Sequence, residues 1–588
     1  MKEGRMHSAH LPHLLSMLFL SGATLAAASS IAATPISQVT SAQWDTLNSQ
    51  VGGRLFQGVP FAKACFPPVT NQTACAEIQQ HYTDGTIRYS FASGSTNTEW
   101  ETCTTNGDQC LLDDTDPTNP LATKLPCKIG SISPYYIDVQ EPSDVSAAFN
   151  FSLKTGVPLI IHNTGHDYKG RSTAPDSLGL WTHNLKNMSY NPSFVPTGCN
   201  GVSPTAAAIL GAGVQWGEAY QFADNHNITL VGGSDKGVGA VGGWLQGGGH
   251  GVLSNTLGMG VDRVLEFKVV TPDGVFRTVN QCQNQDLFFA LRGGGGGTFG
   301  VVLEASILAA PPVTLQVTLI SWADPSIDIT KEFLTILINN TVSLAKAGYG
   351  VTATTELALF ATPLLDATSA AQAMKPFTDF AQNLIDNKVT GASSVTLTLP
   401  SWLEFFNTFI LPVQSTNGVP NILGSRLIPT SSFATSDSQA QLLDALMAGV
   451  SLNPAKFIIL GTTPVNFKPD GKTSVTDAWR TSLWHITTET HWTWNSTLQE
   501  KTAAFATAAK TVERLRAITP DAAYSNEADV YEPNHIVAFW GTHYNDLLKV
   551  KQKYDPHHLL DCWQCVGWKS QSSRFKCYIP TSSIATPQ

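Results

Sequence analysis

Ile160-Ile161-His162-Asn163-Thr164-Gly165-His166-Asp167 is the stretch on which the reading of this chain turns. The apolar run Val157, Leu159, Ile160 and Ile161 predicts a buried strand, and the polar loop ending in Thr-Gly-His-Asp stops it. Upstream, residues 135–139 (Tyr-Tyr-Ile-Asp-Val) predict a strand and residues 141–155 a helix opened by Pro142-Ser143-Asp144. Downstream, residues 231–262 carry Gly232-Gly233, Gly242-Gly243 and Gly247-Gly248-Gly249-His250-Gly251. Glycine lets a backbone come close to a ligand and aim its N–H groups at phosphate oxygens.

A further run, Arg292-Gly293-Gly294-Gly295-Gly296-Gly297-Thr298-Phe299-Gly300, follows Phe288-Phe289-Ala290-Leu291 and leads into a Val-Val-Leu strand. Those apolar flanks set it apart from a flexible linker. Strand and helix patterns over residues 206–210 and 216–226 enclose Gly211-X-Gly213, which lacks the third glycine and the downstream acid of a dinucleotide fingerprint. After Pro311-Pro312 the glycine density falls. Strands are expected over residues 313–320 and 395–399, and amphipathic helices over 329–345 and 370–387. Trp484-His485, His491-Trp492 and Trp494 read as alternating along one strand, packed in the core or forming an aromatic substrate wall. The tail contains Tyr524-Ser525-Asn526-Glu527, then Phe539-Trp540-Gly541-Thr542-His543-Tyr544.

The His166 loop, the Gly-Gly-Gly-His block and the Arg-Gly run together resemble the flavin-binding half of the vanillyl-alcohol oxidase / p-cresol methylhydroxylase superfamily. The resemblance is greatest to its berberine-bridge-enzyme-like branch as found in secreted fungal oxidases, and it covers about residues 130–312 and 523–568. It implies an α+β fold: a two-part FAD-binding domain of the p-cresol methylhydroxylase type, and an α+β substrate domain whose antiparallel sheet is backed by helices. It also implies covalent FAD, joined at its 8α carbon to His166, with Asn163, Thr164, Gly165 and Asp167 beside it. Gly232, Gly233, Gly239, Gly248, Gly249, His250, Asp262, Thr298 and Gly300 complete the implied cofactor set. Many members of the branch read Cys-Pro-Thr-Val-Gly where this chain has Asp235-Lys236-Gly237-Val238-Gly239. The second, cysteinyl link is therefore absent, while Val238 matches the residue that gates dioxygen in the oxidases. The family's Tyr-X-Asn-Tyr, whose last tyrosine takes the substrate proton, ends here in Glu527. A carboxylate serves as base if partial burial raises its pKa toward working pH; otherwise it is structural, and Tyr524 is next in line. His543 stands where relatives often have asparagine.

The implied activity is a secreted oxidase that moves hydride from an alcohol, sugar or secondary metabolite to flavin, dioxygen leaving as hydrogen peroxide. The alternatives are a biosynthetic oxidase or cyclase, and a flavin-containing ligand-binding protein without turnover. The expected partners are a small-molecule substrate and dioxygen, acting on a monomer.

With 588 residues, 42% of them hydrophobic and 14% charged, the chain suits a folded enzyme with a sizeable core. Its net charge of −10 argues against nucleic acid and acidic membrane surfaces. Lys2 and Arg5, an apolar run and then small residues have the order of a secretory signal over residues 1–28. Residues 29–129 read as a cysteine-containing extension, 130–312 as the FAD domain, 313–520 as the substrate domain and 521–588 as a segment returning to the FAD domain. Ten cysteines fit disulfides of unassigned pairing, which account for Cys562-X-X-Cys565 beside His557-His558 better than a metal does. Asn71, Asn150, Asn187, Asn227, Asn339 and Asn495 head glycosylation sequons.

Overall fold

The computed structural model describes residue 1 and residues 31–584, apart from residues 70, 324 and 325. The expected leader thus lies outside the described residues, except for residue 1. β1 (Leu55–Gln57), β2 (Tyr135–Asp138), β3 (Leu159–His162) and β4 (Leu178–Trp181) form a sheet in the order β1-β2-β4-β3. β4 runs parallel to both β2 and β3, and β1 antiparallel to β2. The helix Pro142–Thr155 makes the crossover from β2 to β3. Its first turn holds Pro142, Glu141 and Asp144 form a capping box, and Gly156 ends it at φ 76°. Val145, Ala148 and Phe149 from this helix share a core with Ile137, Leu159, Leu178 and Leu180. The His166 loop leaves the carboxyl end of β3, as the apolar run and its polar stop imply.

β5 (Met188–Phe194), β6 (Thr205–Gly211), β7 (Val264–Val270), β8 (Phe276–Asn280) and β9 (Val301–Leu308) form an antiparallel sheet ordered β5-β6-β9-β7-β8. One glycine-rich stretch joins β6 to β7 and the other precedes β9. The intervening helix, Trp216–Asn225, buries Trp216, Ala219, Tyr220 and Ala223 at helical spacing.

The remaining strands are β10 (Leu315–Ser321), β11 (Gly350–Ala353), β12 (Leu357–Thr362), β13 (Ser393–Leu399), β14 (Ile422–Pro429), β15 (Phe457–Gly461) and β16 (Ser482–Thr490). They build an antiparallel sheet ordered β13-β10-β12-β11-β15-β16-β14. Side chains alternate across it. Phe457, Ile459, Trp484 and Ile486 join a core with Phe333, Leu337, Phe377 and Leu446 from helices Ile327–Lys346, Ala367–Asp386 and Ser436–Leu452. On the opposite face, Ile458 pairs with Thr487 and Leu460 with His485. β16 ends at Thr490, so His491, Trp492 and Trp494 are not on the strand. Trp484 packs edge-on against Phe433, and Trp492 lies in a separate cluster under Lys501. The aromatic wall read from these residues is therefore not formed.

All ten cysteines pair, as Cys65–Cys75, Cys103–Cys577, Cys110–Cys127, Cys199–Cys282 and Cys562–Cys565. Residues 41–50 and 72–80, which show no strong periodicity, are nevertheless helices. Helices this short take their stability from packing and caps rather than from pattern, and Thr40 and Asn71 supply the caps here.

The tail is fastened to β14 by charge. Arg426, fully buried, reaches Glu532 at 3.2 Å and Asp521 at 3.1 Å, and Arg516 also pairs with Glu532. Glu532→Ala would leave two arginines facing a buried vacancy. Removing one partner of such a pair costs about 3–5 kcal/mol, so a marked drop in melting temperature is expected by thermal denaturation. A melting curve that overlays the wild type would show that the ion cluster does not hold the tail.

Candidate functional site

A cleft of about 400 Å³ opens between the glycine-rich segments and the face of the large sheet that carries Ile458, Leu460 and Thr487. Asn163, Thr164, Gly165, His166 and Asp167 line it, with Gly233, Asp235, Val238 and Gly239. His250, Gly300, Tyr524 and Glu527 complete the residues that sequence reasoning brought to it.

Five others fall outside its lining. Gly232 backs onto Trp216 and Tyr220, and Gly249 onto Trp244, so both serve packing. Gly248, at φ 139°, closes on Met259 and Tyr524. Asp262 is held by Arg480 through two contacts of 2.7 Å and takes the Met259 N–H at 2.9 Å, which turns it inward. Thr298 is buried, and its carbonyl accepts from Lys551 at 2.8 Å. His543 is likewise absent from the lining; its Nδ1 lies 3.0 Å from the Val475 carbonyl. Sequence reasoning assigned no role in the site to Gly243, Gly296 and Gly297, although it quoted their runs, nor to Trp244, which stands between two of those runs.

The lining suits a dinucleotide flavin. A Cβ on Gly243 would meet nothing within 4 Å, and one on Gly297 only Cys562 Sγ at 4.0 Å. These glycines thus leave bare backbone against open space. Asn163 Nδ2 donates to Thr182 Oγ1 at 3.2 Å, but its Oδ1 is buried without a protein partner. An unpaired buried acceptor costs about 1–3 kcal/mol, and a donor on a bound ligand would relieve it. Asp167 contributes differently: its carboxylate takes the Ser172 N–H at 3.1 Å and Arg171 Nη2 at 2.8 Å, which holds the loop closed on itself.

His166 Nε2 lies 2.9 Å from the Tyr89 hydroxyl and 3.6 Å from Asp235 Oδ1. Burial pushes its imidazole below the usual value, and Asp235 only partly offsets this, so the ring is kept neutral. Tyr89 comes from the N-terminal region, where no motif marks it.

At the other side of the cleft Glu527 meets two histidines. His250 Nε2 is 3.3 Å from both its carboxylate oxygens, and His485 Nε2 is 2.8 Å from Oε2. Burial pushes the Glu527 carboxyl up, but the charge of His250 and the hydrogen bonds from His250 and His485 outweigh it and leave it well below the usual carboxylate range. The conditional expectation of a raised pKa is thus reversed, because the histidine contacts were not readable in the sequence. His485 is fully buried, and burial dominates in pushing it down toward the neutral form. The three ligand atoms lie within 4.8 Å of one another, close enough for a metal ion. Direct hydrogen bonds already satisfy the atoms that would bind it. Tyr524 has a bracing part: its oxygen accepts from Gly249 N at 3.1 Å and from Asn526 Nδ2 at 2.7 Å, and burial pushes its ionisation up.

The family model described as an FAD binding domain matches residues 134–300, and the one described as berberine and berberine like matches residues 523–566. The chain is 39% identical over 580 residues to the FAD-linked oxidoreductase ffsJ of Aspergillus flavipes, covering 90% of this chain and 93% of that one. To the FAD-linked oxidoreductase cheF of Chaetomium globosum it is 37% identical over 92% of this chain and 88% of the other. The crystal structure of the VAO-type flavoprotein MtVAO615 from Myceliophthora thermophila C1 superposes with a TM-score of 0.77 at 29% identity, covering 92% and 97% of the two chains. Likeness along nearly the full length, with both matched segments contributing to one cleft, makes this chain a member of the FAD-linked oxidoreductases of the vanillyl-alcohol-oxidase type, with a berberine-like C-terminal segment.

Proposed function

We propose that this enzyme is a secreted oxidase of alcohols whose FAD is linked covalently to His166 alone. The observation that carries the reading is the Glu527 carboxylate, anchored by two imidazoles where the glycine-lined cleft meets the large sheet. FAD, when bound, accepts hydride from the substrate carbon and hands its electrons to dioxygen, which leaves as hydrogen peroxide. Glu527, ionised at working pH but held below the usual carboxylate range, accepts the hydrogen bond of the substrate hydroxyl. It takes the proton as the departing hydride makes that hydroxyl strongly acidic, so a base weaker than the raised carboxylate expected from the sequence serves here. The N–H groups of His250 and His485 hold the carboxylate toward that hydroxyl. Asn163, Gly165, Gly233, Gly239 and Gly300 contribute to the cofactor cradle, and Val238 keeps open the approach for dioxygen.

In this reading residues 130–312 are the FAD domain, 313–520 the substrate domain and 521–588 the returning segment, preceded by a leader and a disulfide-braced extension. Five disulfides and six exposed sequon asparagines support passage through an oxidising, glycosylating compartment.

A second reading, oxidation of a bulky secondary metabolite rather than a sugar, is favoured by the far wall of the cleft. Leu423, Ile458, Leu460, Ile410 and Val413 give it an apolar surface. A panel of sugars and largely apolar alcohols, read by anaerobic bleaching of the yellow flavin and by peroxide release in air, tests both. Bleaching by apolar alcohols alone selects the second reading. A panel that bleaches nothing removes the oxidase assignment in favour of a binding protein.

A further inference from the structure

Tyr89 and Asp235, from segments far apart in the chain, reach one nitrogen of His166, and Asn417 stands behind Tyr89. Asn417 Nδ2 donates to the Ser415 carbonyl at 3.1 Å, which turns Oδ1 toward Tyr89. The Tyr89 hydroxyl donates to that Oδ1 at 3.2 Å. A phenol has one hydrogen to give. With it spent on Asn417, the Tyr89 oxygen can only accept from His166 Nε2, 2.9 Å away. Nε2 therefore carries the proton and Nδ1 the free electron pair.

The arrangement is enclosed and built for its occupant. Tyr89 is 4% and Asn417 9% exposed. A side chain on Gly237 would run into the Tyr89 ring and hydroxyl, and one on Gly85 would meet both Tyr89 and Asn417. Asp235, whose Oδ1 is fixed by the Gly237 N–H at 2.7 Å, stands 3.6 Å from the same Nε2.

We propose that Tyr89, oriented by Asn417, sets the tautomer of His166 so that Nδ1 is the atom that bonds to the flavin, and that Asp235 balances the charge this leaves on the ring. The inference rests on the reading that His166 is the tether. Nδ1 supplies the electron pair of the new bond to the 8α carbon. One C–H bond of that methyl group breaks, and its hydrogen and electron pair end on the flavin. Dioxygen then takes them as a hydride equivalent and, with a proton from solvent, becomes hydrogen peroxide. The imidazole, now bonded at Nδ1 and still protonated at Nε2, is a cation, and Asp235 lies on its Nε2 side. Tyr89, Asn417 and Asp235 are positioning residues, since they act through His166.

The test uses full-length chain made under riboflavin limitation and then given FAD. Attachment is followed by intact mass, and the bonded ring nitrogen is identified by NMR of the isolated flavin peptide. Wild type should attach the flavin through Nδ1 only. Tyr89→Phe keeps the ring volume but loses the acceptor. Given the net worth of one hydrogen bond, attachment should slow roughly threefold to tenfold, and some of the product should carry the flavin on Nε2. Asn417→Leu, which removes the acceptor for the tyrosine, should behave in the same way. A purely structural role would slow attachment without changing the bonded nitrogen. Wild type that attaches while Tyr89→Phe matches it in rate and linkage overturns this proposal alone. Wild type that never attaches overturns the tether reading and the proposal with it.

Discussion

Glu527→Gln should slow the anaerobic bleaching of the flavin by substrate ~10²–10⁴-fold, the usual worth of a general base. The amide keeps the shape of the carboxylate but has no basic oxygen to take the hydroxyl proton. It also disturbs the anchoring, because His250 Nε2 and His485 Nε2 both face an ionised acceptor in the wild type. Reoxidation of the reduced enzyme by dioxygen should change little, since no substrate proton moves in that half-reaction. Stopped-flow measurement separates the two. The acid limb supplies a second signature. A carboxyl held below its ordinary value of about 4.3 is already charged above it, so protonation of Glu527 should not limit bleaching until the pH falls beneath the usual carboxylate range. Bleaching at the wild-type rate in the glutamine variant would place the proton acceptor elsewhere.

The second large effect is the loss of bound colour. Acid-precipitated wild type should stay yellow, with the flavin on a peptide containing His166 and on no other. His166→Ala should give a colourless precipitate and a yellow supernatant, with its FAD held only by the cleft. A cysteinyl second link has no available thiol: Asp235 stands in the matching place and Cys282 is paired with Cys199. Colourless precipitate from the wild type would remove the covalent assignment. A flavin peptide lacking His166 would move it to another residue.

What the sequence revealed of this site was its local chemistry. An apolar strand stopped by Thr-Gly-His-Asp and a dense glycine block are features of consecutive residues, and they lead to His166, Gly233 and Gly239 on the cleft. Contacts between distant segments left no such trace. Tyr89 lies 77 positions from His166, and His485 lies 42 from Glu527. Each looks like an ordinary core residue until the fold brings it to its partner. Asp262 shows another distant contact. The resemblance implied a cofactor role for it, whereas its carboxylate is held by Arg480, 218 positions on, outside the cleft lining. The alternation on β16 was legible in Trp484 and His485, yet the strand's end at Thr490 was not, because the following aromatic residues continue the pattern into a loop.

The Cys103–Cys577 bond closes across 474 positions, and the cleft draws on residues from 161 to 527 of a 588-residue chain, with Tyr89 behind its wall. No early portion of the polypeptide holds a usable fraction of the catalytic apparatus. During synthesis the glycine cradle emerges long before the carboxylate that faces it, and the wall bearing Ile458 and Thr487 comes between. The complete cleft thus exists only once Glu527 has been synthesised. Truncation near the carboxyl terminus should consequently cost the enzyme its flavin as surely as a lesion in the flavin-binding loops, although the deleted residues lie far along the sequence from His166.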